Sequence, residues 1–377
     1  MPAAAGGNGS ASGDRRESET THVLVIDDSA VAREVLRSLF SEEPGMSVTV
    51  AADPLVAMAQ MRTRRPDVIV LDLEMPRMDG LTFLRKVMEE DPVPVVVCSG
   101  LAAAGMRGAL RAVEEGAVAV VAKPKLGPRD FLHDSRVMLV DTVRGAAQAR
   151  VHRRPTAASA ARAEAGATTG PAGGGDDRVV AIGVSTGGPE ALRAILEAMP
   201  PSCPGIVIVQ HMPEGFTRAL AERLDQLCAV EVKEACSGDV VRPGRALLAP
   251  GDRHVVLARR DPEYVLEVRD GPLVSRHRPS VDVLFGSVAK VAGGDAVGVL
   301  LTGMGDDGAE GLLEMKRAGA TTFAQDEATC VVFGMPREAI LRGAVDAVFP
   351  LGDIPAAILR GARRGASRDR PAWRHRS

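Results

Sequence analysis

The feature that most constrains this chain is an alternation that runs twice along it. Short β-branched runs, apolar throughout, are each followed by a helical pattern, and a break in composition separates the two series. In the first series the strand-like runs are His22–Ile26, Ser47–Ala51, Val68–Leu71, Pro94–Cys98 and Ala117–Ala122. Helical patterns follow at about Ala30–Phe40, Leu55–Arg62, Leu81–Glu90, Met106–Glu115 and Arg129–Arg144. A strand without a polar face must be covered on both sides, and alternating helices supply that cover, so the series predicts a five-stranded parallel sheet. Ligands of such sheets bind beyond the carboxyl ends of the strands.

From about Arg144 to Asp177 bulky apolar residues lose all regular spacing, and Pro155, Pro171 and the run Gly173–Gly175 forbid a regular element at the end. This is a linker, flexible in its second half, whose Ala-rich start extends the preceding helix. The alternation then resumes with a strand at Val179–Val184, a helix at Pro189–Met199, a strand at Gly205–Val209 and a helix at Thr217–Leu227. Val230–Val268 interrupts it, and the short runs Ala246–Ala249, His254–Ala258 and Tyr264–Val268 suit small antiparallel strands. A helix at Ser280–Val291, a strand at Ala296–Leu301, a helix at Ala309–Ala318 and a strand at Thr321–Ala324 complete a doubly wound α/β unit with a small antiparallel β insertion. Two domains also suit 377 residues better than one core. The expected division is a disordered lead-in at 1–20, a first domain at 21–143, the linker at 144–177, a second domain at 178–362 and a basic tail at 363–377.

The formal net charge of −3 gives no general attraction to nucleic acid or to anionic membrane. Five scattered Cys residues without C-x-x-C spacing argue against a disulfide framework or a zinc site and fit a reducing cytoplasm. The first residues have no apolar segment of signal-peptide length, and no later stretch is long enough to span a bilayer.

Polar residues gather at the strand ends of the first series: Asp27-Asp28-Ser29, Asp72 within LDLEMPRMDG, Ser99, and Lys123-Pro124. Asp28-Ser29 alone would read as a helix cap. Parallel packing brings all these ends to one edge, where three carboxylates repel one another unless a cation neutralises them. Hard oxygen ligands with room for water select Mg²⁺. A carboxylate beside Mg²⁺ can attack a phosphoryl group, with the metal and a Lys absorbing its charge and a Ser hydroxyl bonding one of its oxygens. From about Thr21 to Val143 the chain resembles response-regulator receiver domains, with their flavodoxin-like sheet. The resemblance implies Asp72 as phospho-acceptor, Asp27 and Asp28 supporting Mg²⁺, the Glu74 backbone carbonyl as a further ligand, and Ser99 and Lys123 reading the phosphoryl state. Where many receivers carry an aromatic residue three positions before the Lys, this chain has Val120, which puts a rotating-ring relay in doubt.

In the second series the first strand ends in IGVSTGGPEAL. Ser185 there, flanked by Gly183, Gly187 and Gly188, reads equally as a helix cap, as part of a phosphate-holding loop, or as a nucleophile beside oxyanion-stabilising amides. The strand GIVIVQ runs into His211-Met212-Pro213, and AVGVLL runs into TGMGDDG, which carries Asp306 and Asp307. A Ser, a His and an Asp at the carboxyl edge of one sheet is what nucleophilic acyl transfer requires. GVSTG matches the G-x-S-x-G elbow, but α/β-hydrolases order their residues Ser, acid, His; the only His beyond Asp307 is His375 in the tail. The order Ser, His, Asp therefore indicates a convergent triad on another fold.

The segments IGVSTGGPEAL, VQHMPEGFT, LAPGDRH, HRPSVDVLF, LTGMGDDGAEGL and AQDEATCVVFGMPREA resemble the catalytic domain of chemotaxis protein-glutamate methylesterases, the CheB family, from about Arg178 to Leu359. The resemblance implies Ser185 as nucleophile, His211 as base, Asp307 rather than Asp306 as orienting acid, and Thr186 and Met304 at the oxyanion and substrate site. It implies hydrolysis of glutamate γ-methyl esters on chemoreceptor cytoplasmic domains, with release of methanol, and deamidation of receptor glutamines. It also implies a chemotaxis-type histidine kinase as phosphodonor, Mg²⁺ at the receiver, and no cofactor for the esterase reaction. The chain is expected to be a cytoplasmic monomer, with no nucleic-acid partner and no membrane insertion. The unphosphorylated receiver is expected to cover the esterase site.

His254 in PGDRH and His277 in SRHRPS lie in or beside the β insertion and read as substrate contacts or structure rather than as the base. Arg276 and Arg278 could face an acidic helical substrate, and Cys330 reads as core. The competing non-enzyme reading is a phospho-dependent binding module with an inactive hydrolase domain. A DNA-binding output is set aside, since the second domain has neither a helix-turn-helix pattern nor a basic recognition helix.

Overall fold

A computed structural model describes residues 20–76, 78–100, 102–123, 129–151 and 178–363. Residues 1–19 of the expected lead-in, 152–177 of the linker and 364–377 of the basic tail lie outside these residues. In the first unit, β1 (Thr21–Ile26), α1 (Ala30–Ser41), β2 (Met46–Ala51), α2 (Pro54–Thr63), β3 (Val68–Leu71), α3 (Gly80–Glu90), β4 (Val95–Ser99), α4 (Ala103–Glu114), β5 (Ala119–Ala122) and α5 (Arg129–Ala147) follow in order. The strands pair in parallel in the order β2-β1-β3-β4-β5. The period of two along β1 explains the two helical layers. Val23 and Val25 join Leu36 and Phe40 of α1 and Leu139, Val140 and Val143 of α5. Leu24 and Ile26 join Phe83 and Leu84 of α3 and Ala109 and Val113 of α4. Sequence order reverses between β1 and β3, so the crevice at their carboxyl ends holds the residues after both strands.

The second unit contains β6 (Val179–Val184), α6 (Gly188–Glu197), β7 (Gly205–Gln210), α7 (Phe216–Leu227), β8 (Glu231–Glu234), β9 (Arg245–Leu248), β10 (His254–Arg260) and β11 (Glu263–Arg269). It continues with α8 (Val281–Val291), β12 (Ala296–Leu300), α9 (Ala309–Arg317), β13 (Thr321–Gln325), α10 (Met335–Leu341), β14 (Ala347–Phe349) and α11 (Ile354–Arg363). Seven strands form one sheet in the order β14-β13-β12-β6-β7-β9-β8. Its topological switch lies between β12 and β6. The run Ala246–Ala249 is a correction: β9 pairs in parallel with β7 and β8 inside this sheet, not in an antiparallel insertion. Its Ala246, Leu247 and Leu248 are all fully buried, as an interior parallel strand requires. Among the described residues β10 and β11 are the strands that pair antiparallel, beside isolated antiparallel bridges at Val240–Val265 and Val274–His277.

The two units share buried surface, and one apolar cluster runs from the first sheet into the second. The start of the expected linker belongs to this packing: α5 runs on to Ala147, Ala146 is fully buried, and the Arg150 amide donates to the Val331 carbonyl at 3.0 Å. No helix among the described residues is long and apolar enough to cross a membrane.

Candidate active site

At the first switch point Asp27 and Asp72 are buried and Asp28 is exposed. Lys123 crosses the crevice, its Nζ 2.8 Å from Asp27 Oδ2 and 2.7 Å from Asp72 Oδ2. Burial pulls the Lys123 ammonium down, but its hydrogen bonds to both carboxylates and their charge outweigh this and lift it to about 12. Burial raises the Asp72 carboxyl against the pull of the same Lys. One oxygen from each of Asp27, Asp28 and Asp72 lies within 4.8 Å of the others. Three convergent carboxylates suit a hard divalent cation. Ser99 Oγ is buried and has no hydrogen-bond partner among the described residues. Val120 is buried in the cluster that holds Phe83 and Leu84.

The second site is built on the ends of β6, β7 and β12. After β6 the chain turns sharply. The Ser185 amide donates to the Thr302 carbonyl at 3.0 Å, and the Gly188 amide donates back to the Ser185 carbonyl at 2.8 Å. Gly187 takes the left-handed φ of 79° that this turn needs, and a Cβ on it would lie 2.5 Å from Val331 Cγ2. Gln210, at the end of β7, ties the two loops: its Nε2 donates to the carbonyls of Ser185 and His211, both at 3.0 Å. Gly303 lets the loop after β12 close on the turn, since a Cβ there would lie 2.7 Å from Ser185 Cβ. Among the described residues the Thr186 and Met304 amides donate to no protein acceptor.

His211 Nε2 lies 2.7 Å from Asp307 Oδ2. Asp307 also accepts from Ser280 Oγ at 2.7 Å and from the Val281 and Asp282 amides at 2.7 and 3.0 Å. The carboxylate therefore caps the N-terminus of α8, where unpaired amides and the helix dipole favour a negative charge. Burial pushes the Asp307 carboxyl up; the His277 ring and these donors oppose it. Burial pushes His211 down to about 3, so the ring is neutral near pH 7. With Nε2–H committed to Asp307, Nδ1 carries the lone pair, and it is buried with no hydrogen-bond partner among the described residues. Asp306 instead meets Arg342 at 2.7 Å.

The other candidates separate clearly. His254 is structural: its Nε2 faces the Pro272 carbonyl at 2.8 Å and its Nδ1 accepts from the Ser280 amide at 3.2 Å. Arg278 is held by Asp252 at 2.6 Å and by the Gly271 carbonyl. Arg276 faces the first unit, with Nε 3.3 Å from Asp141 Oδ2. Cys330 is a buried thiol that burial pushes up to about 12. Gln210 and Ser280 were not singled out as site residues from the sequence, and His277 reads there as a substrate contact or as structure rather than as the base. Ser280 had a local signal, a Ser directly before the apolar run of a helix; Gln210 had none.

The first unit covers this second site. Gly145 of α5 sits so close that a Cβ on it would lie 2.8 Å from Met304 Cβ and 3.4 Å from Thr186 Oγ1. The Val118 carbonyl accepts from the Gly187 amide at 2.9 Å. On α4, Met106 packs over Gly215, four residues beyond His211, and Glu114 pairs with Arg223 of α7 at 2.7 Å.

A family model for the response regulator receiver domain matches residues 23–133, and one for the CheB methylesterase matches residues 180–358. A protein-glutamate methylesterase/protein-glutamine glutaminase of Anaeromyxobacter dehalogenans is 60% identical over 349 residues, covering 90% of this chain and 96% of its own. One of Geobacter metallireducens is 54% identical over 347 residues, covering 90% and 98%. The catalytic domain of a Thermotoga maritima CheB methylesterase is a similar solved structure, 41% identical over 48% of this chain and 97% of its own, with a TM-score of 0.48.

Proposed function

From the premise that this chain belongs to the CheB methylesterase family, we propose that Ser185 is its nucleophile, His211 the base and Asp307 the acid that holds the base. The chain is a phosphorylation-activated protein-glutamate methylesterase and protein-glutamine glutaminase, a receiver domain joined to a hydrolase. The reading of an inactive binding module is not favoured.

The observation that carries the assignment is the His211 ring, with Nε2–H fixed on Asp307 and a bare, buried Nδ1 at the strand end next to the Ser185 turn. Nδ1 takes the Ser185 hydroxyl proton as Oγ attacks the γ-carbonyl of a glutamate methyl ester. The unengaged Thr186 and Met304 amides face the charge that develops on the carbonyl oxygen. Asp307 stabilises the imidazolium, which returns the proton to the leaving methanol. Water then repeats the sequence on the acyl-enzyme and frees the glutamate. On a glutamine the same attack releases ammonia.

Asp72 accepts the phosphoryl group, Ser99 and Lys123 bind its oxygens, and Asp27, Asp28, Asp72 and the Glu74 carbonyl would hold Mg²⁺, which neutralises charge on the transferred group. A chemotaxis-type histidine kinase is the donor, and the substrate is the cytoplasmic part of a chemoreceptor, so the monomer acts in the cytoplasm. The packing of α5 on Met304 and Thr186 supports inhibition by docking, released when phosphorylation shifts a two-state equilibrium. Methanol release from methylated receptor, with and without a small phosphodonor, tests both halves. Ser185→Ala is expected to abolish release, and Asp72→Asn to abolish only the stimulation. Normal release by Ser185→Ala would overturn the assignment.

A further inference from the structure

We propose that His277 is a positioning residue for the esterase reaction, its ring forming the wall that holds the His211 imidazole in plane with Asp307. The two rings are stacked, with centroids 3.8 Å apart and planes 9° from parallel. A stacked neighbour at that distance blocks rotation of His211 about its side-chain bonds and keeps water off one face. The wall is itself anchored. His277 Nδ1 faces the Ser275 carbonyl at 2.7 Å, and Ser275 Oγ donates to Asp282 at 3.0 Å. Asp282 in turn accepts from the Gly311 amide at 2.8 Å. Ser275 and Arg276 hold left-handed φ of 48° and 66°, a conformation that non-glycine residues adopt at a cost and that persists where surroundings over-determine it. The charged and titratable groups around the ring are His211, Asp307 and Asp282 from the hydrolase, Arg276 beside it, and Asp141 from the receiver. Burial, then the proximity of His211, pushes His277 down to about 4, so two neutral rings share the wall without repulsion near pH 7.

This inference rests on His211 being the base. Replacing His277 by Ala removes the wall and admits water to His211. In phosphodonor-activated protein, kcat is expected to fall about 10- to 100-fold with KM nearly unchanged, the scale of a small misplacement of a catalytic group. The acid limb of the kcat/KM profile should move to higher pH as the ring regains hydration. His277→Phe restores an aromatic face without a titrating group and should recover kcat to within about 3-fold of the parent, with the limb back in place, as the ring plane does the positioning and the Nδ1 tie to Ser275, which Phe lacks, only supports it. An unchanged kcat and acid limb in His277→Ala would overturn the proposal, as would a Phe variant as impaired as the Ala variant at an equal melting temperature. Failure of the underlying assignment looks different: His211→Gln would then retain methanol release whatever stands at 277.

Discussion

Gly145→Ala separates docking from catalysis by a single methyl group. Gly145 lies in α5, where Ala is preferred over Gly by about 0.5–1 kcal/mol, so the substitution favours the helix itself. In the docked arrangement the new Cβ would lie 2.8 Å from Met304 Cβ and 3.1 Å from Met304 Sδ, closer than carbon atoms pack. Overpacking of this kind costs about 1–3 kcal/mol, and only the docked form bears it. At about 1.4 kcal/mol per decade, the undocked fraction should rise about 5- to 150-fold, up to the ceiling where docking no longer dominates. The assay is methanol release from methylated receptor without phosphodonor, in an Asp72→Asn background that removes phosphorylation. Basal release should increase, while a Gly145→Ala protein with Asp72 intact, fully phosphorylated, should match its parent, because Gly145 then no longer touches Met304. Basal release at or below the parent's level, with an unchanged melting profile, would refute the reasoning.

Three further outcomes follow from the geometry. With His211 as the proposed base its neutral form is the active one, and burial pushes the ring down to about 3, so release by the unphosphorylated protein should persist below the ordinary imidazole value of about 6.5 and fail only as pH drops through the depressed value. Under the proposed docking switch phosphorylation uncovers the ring, so the acid limb of the pH profile should then move upward; a limb that stays put would count against uncovering. Asp27→Asn removes one of the three convergent carboxylates, and calorimetric titration should find Mg²⁺ affinity reduced at least about 10-fold, against little change for an exposed control such as Glu89→Gln. Arg223→Ala breaks a half-exposed pair with Glu114, worth about 0.2–1 kcal/mol, so basal methanol release should rise no more than about 5-fold, well short of Gly145→Ala.

Much of the site was legible because strand periodicity is local. Runs such as VVAIGV and GIVIVQ end where polarity begins, and in a parallel sheet every carboxyl end reaches the same edge, so Ser185, His211 and the pair Asp306-Asp307 could be placed together without coordinates. The run at Ala246–Ala249 misled for a related reason: a short apolar run carries no record of the direction in which it pairs. The extension of α5 was readable from its Ala-rich sequence, but where that helix ends up was not.

Composition and pattern by themselves determined two doubly wound units, their order, and the strand ends that carry chemistry, since these follow from which residues can be covered on both faces of a sheet. Tertiary structure alone decided what touches across the chain. It set Asp307 on the N-terminus of α8, laid His277 flat against His211, gave the Gly187 amide to the Val118 carbonyl and pressed Gly145 onto Met304. Each of these pairs joins segments far apart in sequence, and their meeting depends on the packing of whole layers, which no local pattern of side chains encodes.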